Sequence, residues 1–509
     1  MKERRNGVVL SYVNIVLKNV VNIMYVPILL NFLGTAEYGL FQMSAQVIGM
    51  LSLLSFGLAG SYVRFYWLEK NKSDRDVNKL NSVYLGMFTL IALVALIGSI
   101  VISMNGNVLF GNTYSKSDVL LAESLMVILG VNVAVTFISN VFESYIIVKQ
   151  KFTIQQLRIL LATILQPVMV IMFLKLGAGA LGVAVTQTFL SIVFIIWNVI
   201  YAMKYLCMKF EMPNFVHAKS IMKEVIVFSG FLFLNQLVDI VNNNYPSIIL
   251  GKINGATSVA IFMIAIQIKN IFYQLSLSIS NVFIPQVNEL VMQKDNSKRL
   301  NTLMTKIGKL QLAILGYLFG GFIVIGEMFI YLWAGKEFEQ AYWIVIVLVA
   351  PAIIPLSQSL GIEIQKSKNL HKFRLTIMAV MCAANAFMTI NFIAKFGVIG
   401  AAIGSAIGLI IVNTLIVNVY NHKVVGLNMV TFWKKNGFML FVPGIGAVIA
   451  HTTKLIIGSQ TIQTEIVAIL LYCIVTPVLM WLIAISRNEK SQILSLLRNR
   501  TRTKKRAIM

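Results

Sequence analysis

Residues 8–33 read VVLSYVNIVLKNVVNIMYVPILLNFL. The hydrocarbon core of a bilayer is about 30 Å thick and takes about 20 apolar residues as helix. This run is long enough to cross it. It does not read as a cleaved signal peptide, because it is too long, carries Lys18 in its middle and is followed by no small-x-small cleavage site. It is therefore the first transmembrane span. Thirteen more stretches of this kind follow, at 40–62, 81–104, 119–148, 157–176, 181–203, 225–250, 257–284, 307–330, 343–365, 374–395, 399–420, 436–452 and 464–486. The thirteenth in the series is short and contains Pro443 and three glycines.

Composition agrees with this reading. The 509-residue chain is 58% hydrophobic and only 12% charged, against about 25% charged in soluble domains. Its mean hydropathy is +0.80. A soluble globular protein is excluded, and the abundance of Leu, Ile, Val and Phe excludes disorder. The expected fold class is all-α: a polytopic membrane protein with about fourteen transmembrane helices.

A net charge of +24 suggests nucleic acid in a soluble protein, but in a membrane protein it reports lysine and arginine held in cytoplasmic loops. With the N-terminus inside, the inside segments hold 35 of the 43 Lys and Arg residues, the outside segments 6, and Lys18 and Lys269 lie within spans. The bias alternates without interruption. It places both termini in the cytoplasm and accounts for the charge with no nucleic-acid partner. The densest basic run, Arg498–Arg506, follows Ile493, Leu494, Leu496 and Leu497 and reads as an anchor on anionic lipid, or as a patch that recognises a specific lipid or partner. Cys207, Cys382 and Cys473, and His217, His371, His422 and His451, are scattered. Neither a disulfide framework nor a metal site is expected.

The two halves repeat. Tyr25 to Leu33-Gly34 resembles Tyr245 to Leu250-Gly251, and Lys175-Leu-Gly177 resembles Lys395-Phe-Gly397. At a constant shift of 221, Asn14, Lys18 and Asn22 map onto Asn235, Asp239 and Asn243, and Phe41 and Gln46 map onto Phe262 and Gln267. Six spans per repeat return the chain to the same side, so the repeats are parallel and their pseudo-two-fold runs along the membrane normal. The expected domains are a six-helix lobe at 1–203, a cytoplasmic linker at 204–224, a second six-helix lobe at 225–422, two additional helices at 423–486 and a basic tail at 487–509.

Ser11, Asn14, Lys18, Asn22 and Tyr25 are spaced to share one face of the first span. Asn235, Asp239, Asn242 and Asn243 share a face of the seventh. An ionisable side chain near mid-membrane costs about 2.5–3.5 kcal/mol on insertion scales, so such groups face water or one another. Lys18 lies about ten residues inside its span, about 15 Å at 1.5 Å per residue, too deep to snorkel. Two polar stripes facing a central cavity between the lobes are one reading; the other is structural, either a Lys18–Asp239 ion pair locking the lobes or separate hydrogen bonds inside each lobe. In the eighth span, Gln267 belongs to a polar stripe with Asn270 and Gln274, while Lys269 points elsewhere, toward the side of Ser276 and Ser280. Arg64, Arg158, Glu143 and Glu363 sit near span ends and read as interfacial charge. Eight prolines, Pro27, Pro167, Pro246, Pro285, Pro351, Pro355, Pro443 and Pro477, fall within or at the ends of spans, as hinges or as packing kinks.

Enzyme signatures are missing. There is no Walker loop, no outside acidic pair and no grouping of Ser-His-Asp or Cys-His, so neither an enzyme nor a cofactor is expected.

The run YVPILLNFLGTAEYGLFQMSAQVIGMLSLLSFGLAGSYVRFY at 25–66 resembles polysaccharide flippases of the Wzx type, members of the multidrug/oligosaccharidyl-lipid/polysaccharide exporter (MOP) superfamily. Pro27, Leu33-Gly34, Tyr38-Gly39, Gly57-Leu58 and Arg64 carry the likeness, joined by GKINGATSVAIFMIA at 251–265. It implies alternating-access movement of undecaprenyl-diphosphate-linked oligosaccharide from the inner to the outer leaflet of the bacterial cytoplasmic membrane, for surface polysaccharides such as lipopolysaccharide or capsule. Partners would be the lipid-linked substrate, membrane lipids and the polysaccharide assembly machinery; paired lobes make a monomer sufficient. A diphosphate headgroup needs cations in a low-dielectric path, for which Lys18, Lys269 and Arg64 are the candidates. Asn14, Asn22, Asn235, Asp239, Asn243 and Gln267 would serve sugar binding or coupling. In one respect the chain departs from relatives of this kind, which commonly place a basic residue before the Leu-Gly that ends the first span, where this chain has Asn31-Phe32.

Three other functions compete. A lipid II flippase is usually richer in arginine on the first, second and eighth spans. A multidrug exporter of the same superfamily would couple to a membrane-embedded acid, for which Asp239 is the candidate. A polysaccharide polymerase or ligase would need a large outside loop, which this chain lacks.

Overall fold

The computed structural model describes residues 2–293, 296–370, 372–458, 462–487 and 489–491, without the side chains of residues 2–9, 12, 112, 217, 231, 232 and 235. The elements among them are helical, with no strand. In order they are α1 (Lys2–Gly49), α2 (Leu58–Lys70), α3 (Asp74–Met104), α4 (Gly106–Phe110), α5 (Lys116–Val148), α6 (Phe152–Lys175), α7 (Gly179–Ile200), α8 (Phe215–Asn254), α9 (Ala256–Met292), α10 (Ser297–Ala334), α11 (Ala341–Ser357), α12 (Ser359–Ser367), α13 (Lys372–Gly408), α14 (Val417–Tyr420), α15 (Met429–Ile457) and α16 (Ile462–Leu479).

Ten helical stretches among the described residues are long and apolar enough to cross a membrane, or eleven if α11 and α12, bent by 46°, form one span. Two of the ten, Val13–Lys70 with 58 residues and Lys372–Val425 with 54, are more than twice the length a bilayer requires. Each is broken by a glycine that only a residue without Cβ adopts readily: Gly34 at φ 69°, ψ 176° and Gly397 at φ 58°, ψ −133°. The helices also run past the apolar stretches that mark them in sequence. Their ends carry caps that satisfy the exposed first-turn amides, such as the Ser115–Asp118 capping box of α5 and Ser73 ahead of α3. The short thirteenth stretch belongs to α15, which continues through Pro443 for 29 residues.

The chain forms two compact units, one of Met1–Gln267 with Leu375–Ser405, the other of Ile268–Arg374 with Ala406–Met509. In the first, α2, α3 and α5 enclose a core of aromatic residues that includes Tyr62, Tyr84 and Phe88. Buried hydroxyls there find partners: Tyr62 donates to Asn81 Oδ1 at 2.6 Å, and the Ser61 and Tyr84 hydroxyls lie 2.8 Å apart. Close helix approach depends on small residues. A Cβ on Gly130 of α5 would lie 2.0 Å from Ser99 Oγ of α3. In the second unit α15 and α16 pack tightly on α10. Tyr472 donates to the Tyr317 carbonyl at 2.7 Å, and a Cβ on Gly308 would lie 2.4 Å from the Phe432 ring.

The repeat is written in the backbone. Residues with positive φ recur at Gly34 and Gly255, Gln150 and Asn369, Gly177 and Gly397, and Cys207 and Gly426, each pair 219 to 221 residues apart. A π-helical turn at Tyr201–Tyr205 recurs at Asn421–Val425. One expected equivalence changes. The counterpart of Gly34 is Gly255 rather than Gly251, which is helical and where an added Cβ would collide with the Met43 sulfur. This is the 221 register.

Candidate functional site

Four helices of the first unit surround a cavity of about 380 Å³. From α1 it receives Lys18, Asn22 and Tyr25, from α5 Thr136, Ser139 and Glu143, from α6 Arg158, Thr163 and Gln166, and from α7 Ser191. On α1 and α5 the spacings of three and four residues follow the 3.6-residue turn, so each of these helices presents one polar face. The wall is braced from behind: Asn198 donates to Ser139 Oγ at 3.0 Å, and Asn132 to Ser191 Oγ at 3.0 Å. Pro167 also lines it, and lacking an N–H it leaves the Thr163 carbonyl without its helical partner.

Two cations and one carboxylate line this cavity. Arg158 Nη2 donates to Glu143 Oε1 at 2.7 Å, and Gln155 Nε2 donates to the same oxygen at 3.2 Å. Lys18 is exposed to the cavity and makes no hydrogen bond or ion pair among the described residues. The Lys18–Asp239 pair weighed from sequence is therefore not formed. One positive charge stands uncompensated among groups that donate and accept hydrogen bonds, an arrangement suited to an anionic, hydroxyl-rich ligand.

The remaining candidates have other surroundings. Asn14, one turn from Lys18, is buried, and its amide donates to the backbone and side-chain oxygens of Gln156, both at 2.8 Å. It fastens α1 to α6. Arg64 is exposed, its guanidinium carbon 4.4 Å from the centre of the Phe228 ring. Gln267 donates to the Tyr38 hydroxyl at 2.7 Å. Asp239 and Asn243 are exposed on α8, with the Asn243 amide on the Asp239 carbonyl at 2.8 Å; the Asn235 side chain lies outside the described residues. Lys269 belongs to the second unit and lies over the Tyr273 ring at 5.5 Å. Ser276 and Ser280, on its side of the helix, join Gln311 instead.

Arg158 and Glu143 read from sequence as interfacial charge. Hydropathy begins the span of Arg158 at 157, but α6 starts at Phe152, which puts Arg158 six residues, about 9 Å, inside the helix. The signal available was the polar spacing of Thr136, Ser139 and Glu143. Glu363 pairs with the exposed Lys366 at 2.7 Å. Most of the basic tail lies outside the described residues.

Long apolar helices around a polar cavity are the architecture of a multi-pass membrane protein. Solved structures share this fold. The lipid II flippase MurJ in an inward closed conformation aligns with TM-score 0.73 at 16% identity, over 93% of this chain and 97% of that one. An inward-facing multidrug resistance MATE family transporter of the MOP superfamily aligns with TM-score 0.61 at 15% identity, over 79% of this chain and 92% of that one. A MATE transporter from Vibrio cholerae aligns with TM-score 0.53 at 12% identity, over 83% and 98%. No curated protein matches in sequence. The family model described as polysaccharide biosynthesis protein matches residues 4–291, and the chain belongs to that family.

Proposed function

We propose that the protein is a flippase that moves undecaprenyl-diphosphate-linked oligosaccharide from the inner to the outer leaflet of the bacterial cytoplasmic membrane, for surface polysaccharide synthesis. The observation that carries this reading is the cavity of the first unit, where an unpaired Lys18 stands among Asn22, Tyr25, Gln166 and several hydroxyls. The lysine answers a phosphate as a point charge, and the amides and hydroxyls answer sugar. An ammonium deep in an apolar span with no protein partner is costly, and a ligand that neutralises it during transport gives it a role. Family membership supports the sugar-polymer context.

In this reading the chain crosses the membrane fourteen times. Gly34 and Gly397 each separate two crossings, α11 with α12 makes one, and α8 makes another. Both termini are cytoplasmic. Helices 1–6 and 7–12 are the two lobes of an alternating-access carrier, with α15 and α16 outside the repeat. The protein performs no covalent chemistry and works as a monomer. Asp239 and Asn243, exposed on α8, are candidates for coupling. Lys269 and Arg64 remain candidates for the headgroup at other points of its path.

Reconstitution tests the proposal. Proteoliposomes loaded with fluorescent undecaprenyl-diphosphate oligosaccharide should move the label between leaflets, read by a membrane-impermeant quencher. No movement, with export of small organic cations instead, would transfer the assignment to the multidrug branch.

A further inference from the structure

The ion pair in the cavity wall is made in a way that leaves both partners half used. Arg158 reaches Glu143 through Nη2 alone, at 2.7 Å, although a guanidinium offers five N–H donors and pairs best with two at once. Among the described residues its other donors have no partner. Glu143 takes both of its contacts, from Arg158 and Gln155, on Oε1. Both side chains are mostly buried, at 16% and 25% exposure, and both line the cavity with Lys18. The cavity thus holds one unpaired cation and one cation restrained by a single internal contact.

We infer that Glu143 is a displaceable counter-ion, and that Arg158 selects a diphosphate over a monophosphate. The inference rests on the reading that the cavity receives a phosphate-bearing headgroup. A single phosphate is met by Lys18. The second phosphate of a diphosphate takes Arg158 from Glu143, exchanging one end-on contact for a two-pronged one. Glu143 is left on the Gln155 amide, which already donates to it. The exchange breaks no covalent bond. Glu143 keeps Arg158 from standing unpaired while the cavity is empty, and it sets a threshold that a singly phosphorylated lipid does not pass.

Soluble isoprenoid phosphates provide the test. The full-length protein in phosphatidylcholine nanodiscs is titrated with farnesyl diphosphate and with farnesyl monophosphate. Wild type should prefer the diphosphate. Glu143→Gln should tighten diphosphate binding roughly two- to fivefold, the range set by a partly exposed ion pair, and leave monophosphate binding nearly unchanged. Arg158→Gln should weaken diphosphate binding about tenfold, the loss of a charge-assisted contact, and bring the two ligands level. Where Arg158→Gln fails to fold, the Glu143→Gln/Arg158→Gln double variant removes the pair together and should also bind the two ligands equally. Weaker or unchanged diphosphate binding in Glu143→Gln, or a preference that survives loss of Arg158, would overturn the inference and leave the flippase reading standing. Wild type that binds neither ligand would overturn both.

Discussion

Gly34 and Gly255 stand 221 residues apart and adopt the same backbone conformation, φ 69°, ψ 176° and φ 84°, ψ 177°. Each separates two long helices, and each lies in a region of φ/ψ space that is essentially reserved for glycine. A Cβ on Gly34 would meet nothing within 4 Å, and one on Gly255 only Thr113 Cγ2 at 3.5 Å. The requirement is therefore one of backbone conformation rather than space. Gly34→Ala and Gly255→Ala should each cost about 1–3 kcal/mol, read as a lower thermal unfolding midpoint in detergent. Gly39→Ala should also destabilise, but by collision, because its Cβ would lie 1.9 Å from the Ala256 carbonyl oxygen. Unchanged midpoints in the first two variants would show that the breaks tolerate a side chain.

Gln311 holds a buried polar junction in the second unit. Its amide lies 3.1 Å from Ser276 Oγ, 2.9 Å from Ser280 Oγ and 2.8 Å from Ser359 Oγ, beside the bend between α11 and α12. Gln311→Leu keeps the volume and removes the shared donor, while Ser276 still donates to the Leu356 carbonyl and the Ser280 and Ser359 hydroxyls still pair. It should destabilise by about 0.5–1.5 kcal/mol, the net worth of a hydrogen bond. A variant as stable as wild type would show that the serines re-pair without it.

Lys454 and Glu465 join α15 to α16 at 2.6 Å, with 17% and 14% exposure. Glu465→Gln should cost about 1–3 kcal/mol, between exposed and fully buried pairs. Lys454→Met with Glu465→Leu should cost less than the two single changes added, because neither charge is then left alone. Simple additivity in that cycle would mean that the pair is not coupled.

Beyond α16, partial burial raises the Glu489 carboxyl, but hydrogen bonds from Lys309 and Ser486 outweigh it and leave the group below the usual carboxylate range. A carboxylate lowered by folding stabilises the fold above its unfolded pKa, and the contribution disappears as pH falls through its folded value. The unfolding midpoint of wild type should therefore drop more steeply under acid than that of Glu489→Gln. Parallel profiles would contradict this.

Lys18 was legible in the sequence because a charge ten residues inside an apolar run has few places to go. Asn14 shares its helical stripe, yet a stripe that spans three turns meets more than one neighbour, and Gln156 claims the Asn14 end. The repeat was visible, but local likeness paired Gly34 with Gly251, four residues short of its conformational equivalent. Arg158 was hidden for another reason. Hydropathy marks where a helix becomes apolar, not where it begins, so a charge inside the helix reads as one at its edge. Lys269 and Tyr273, one turn apart, illustrate a contact that spacing permits without choosing it.

The most direct test of the account is mass spectrometry of membrane lipids from a strain lacking this protein, with leaflet assignment by a membrane-impermeant glycosidase. Lys18 makes no contact that the fold depends on, so Lys18→Ala should insert and unfold like wild type. Undecaprenyl-diphosphate-linked oligosaccharide should accumulate on the cytoplasmic side, cleared by wild type but not by Lys18→Ala. Unchanged lipid-linked sugar in the deletion strain, or full rescue by Lys18→Ala, would contradict the account.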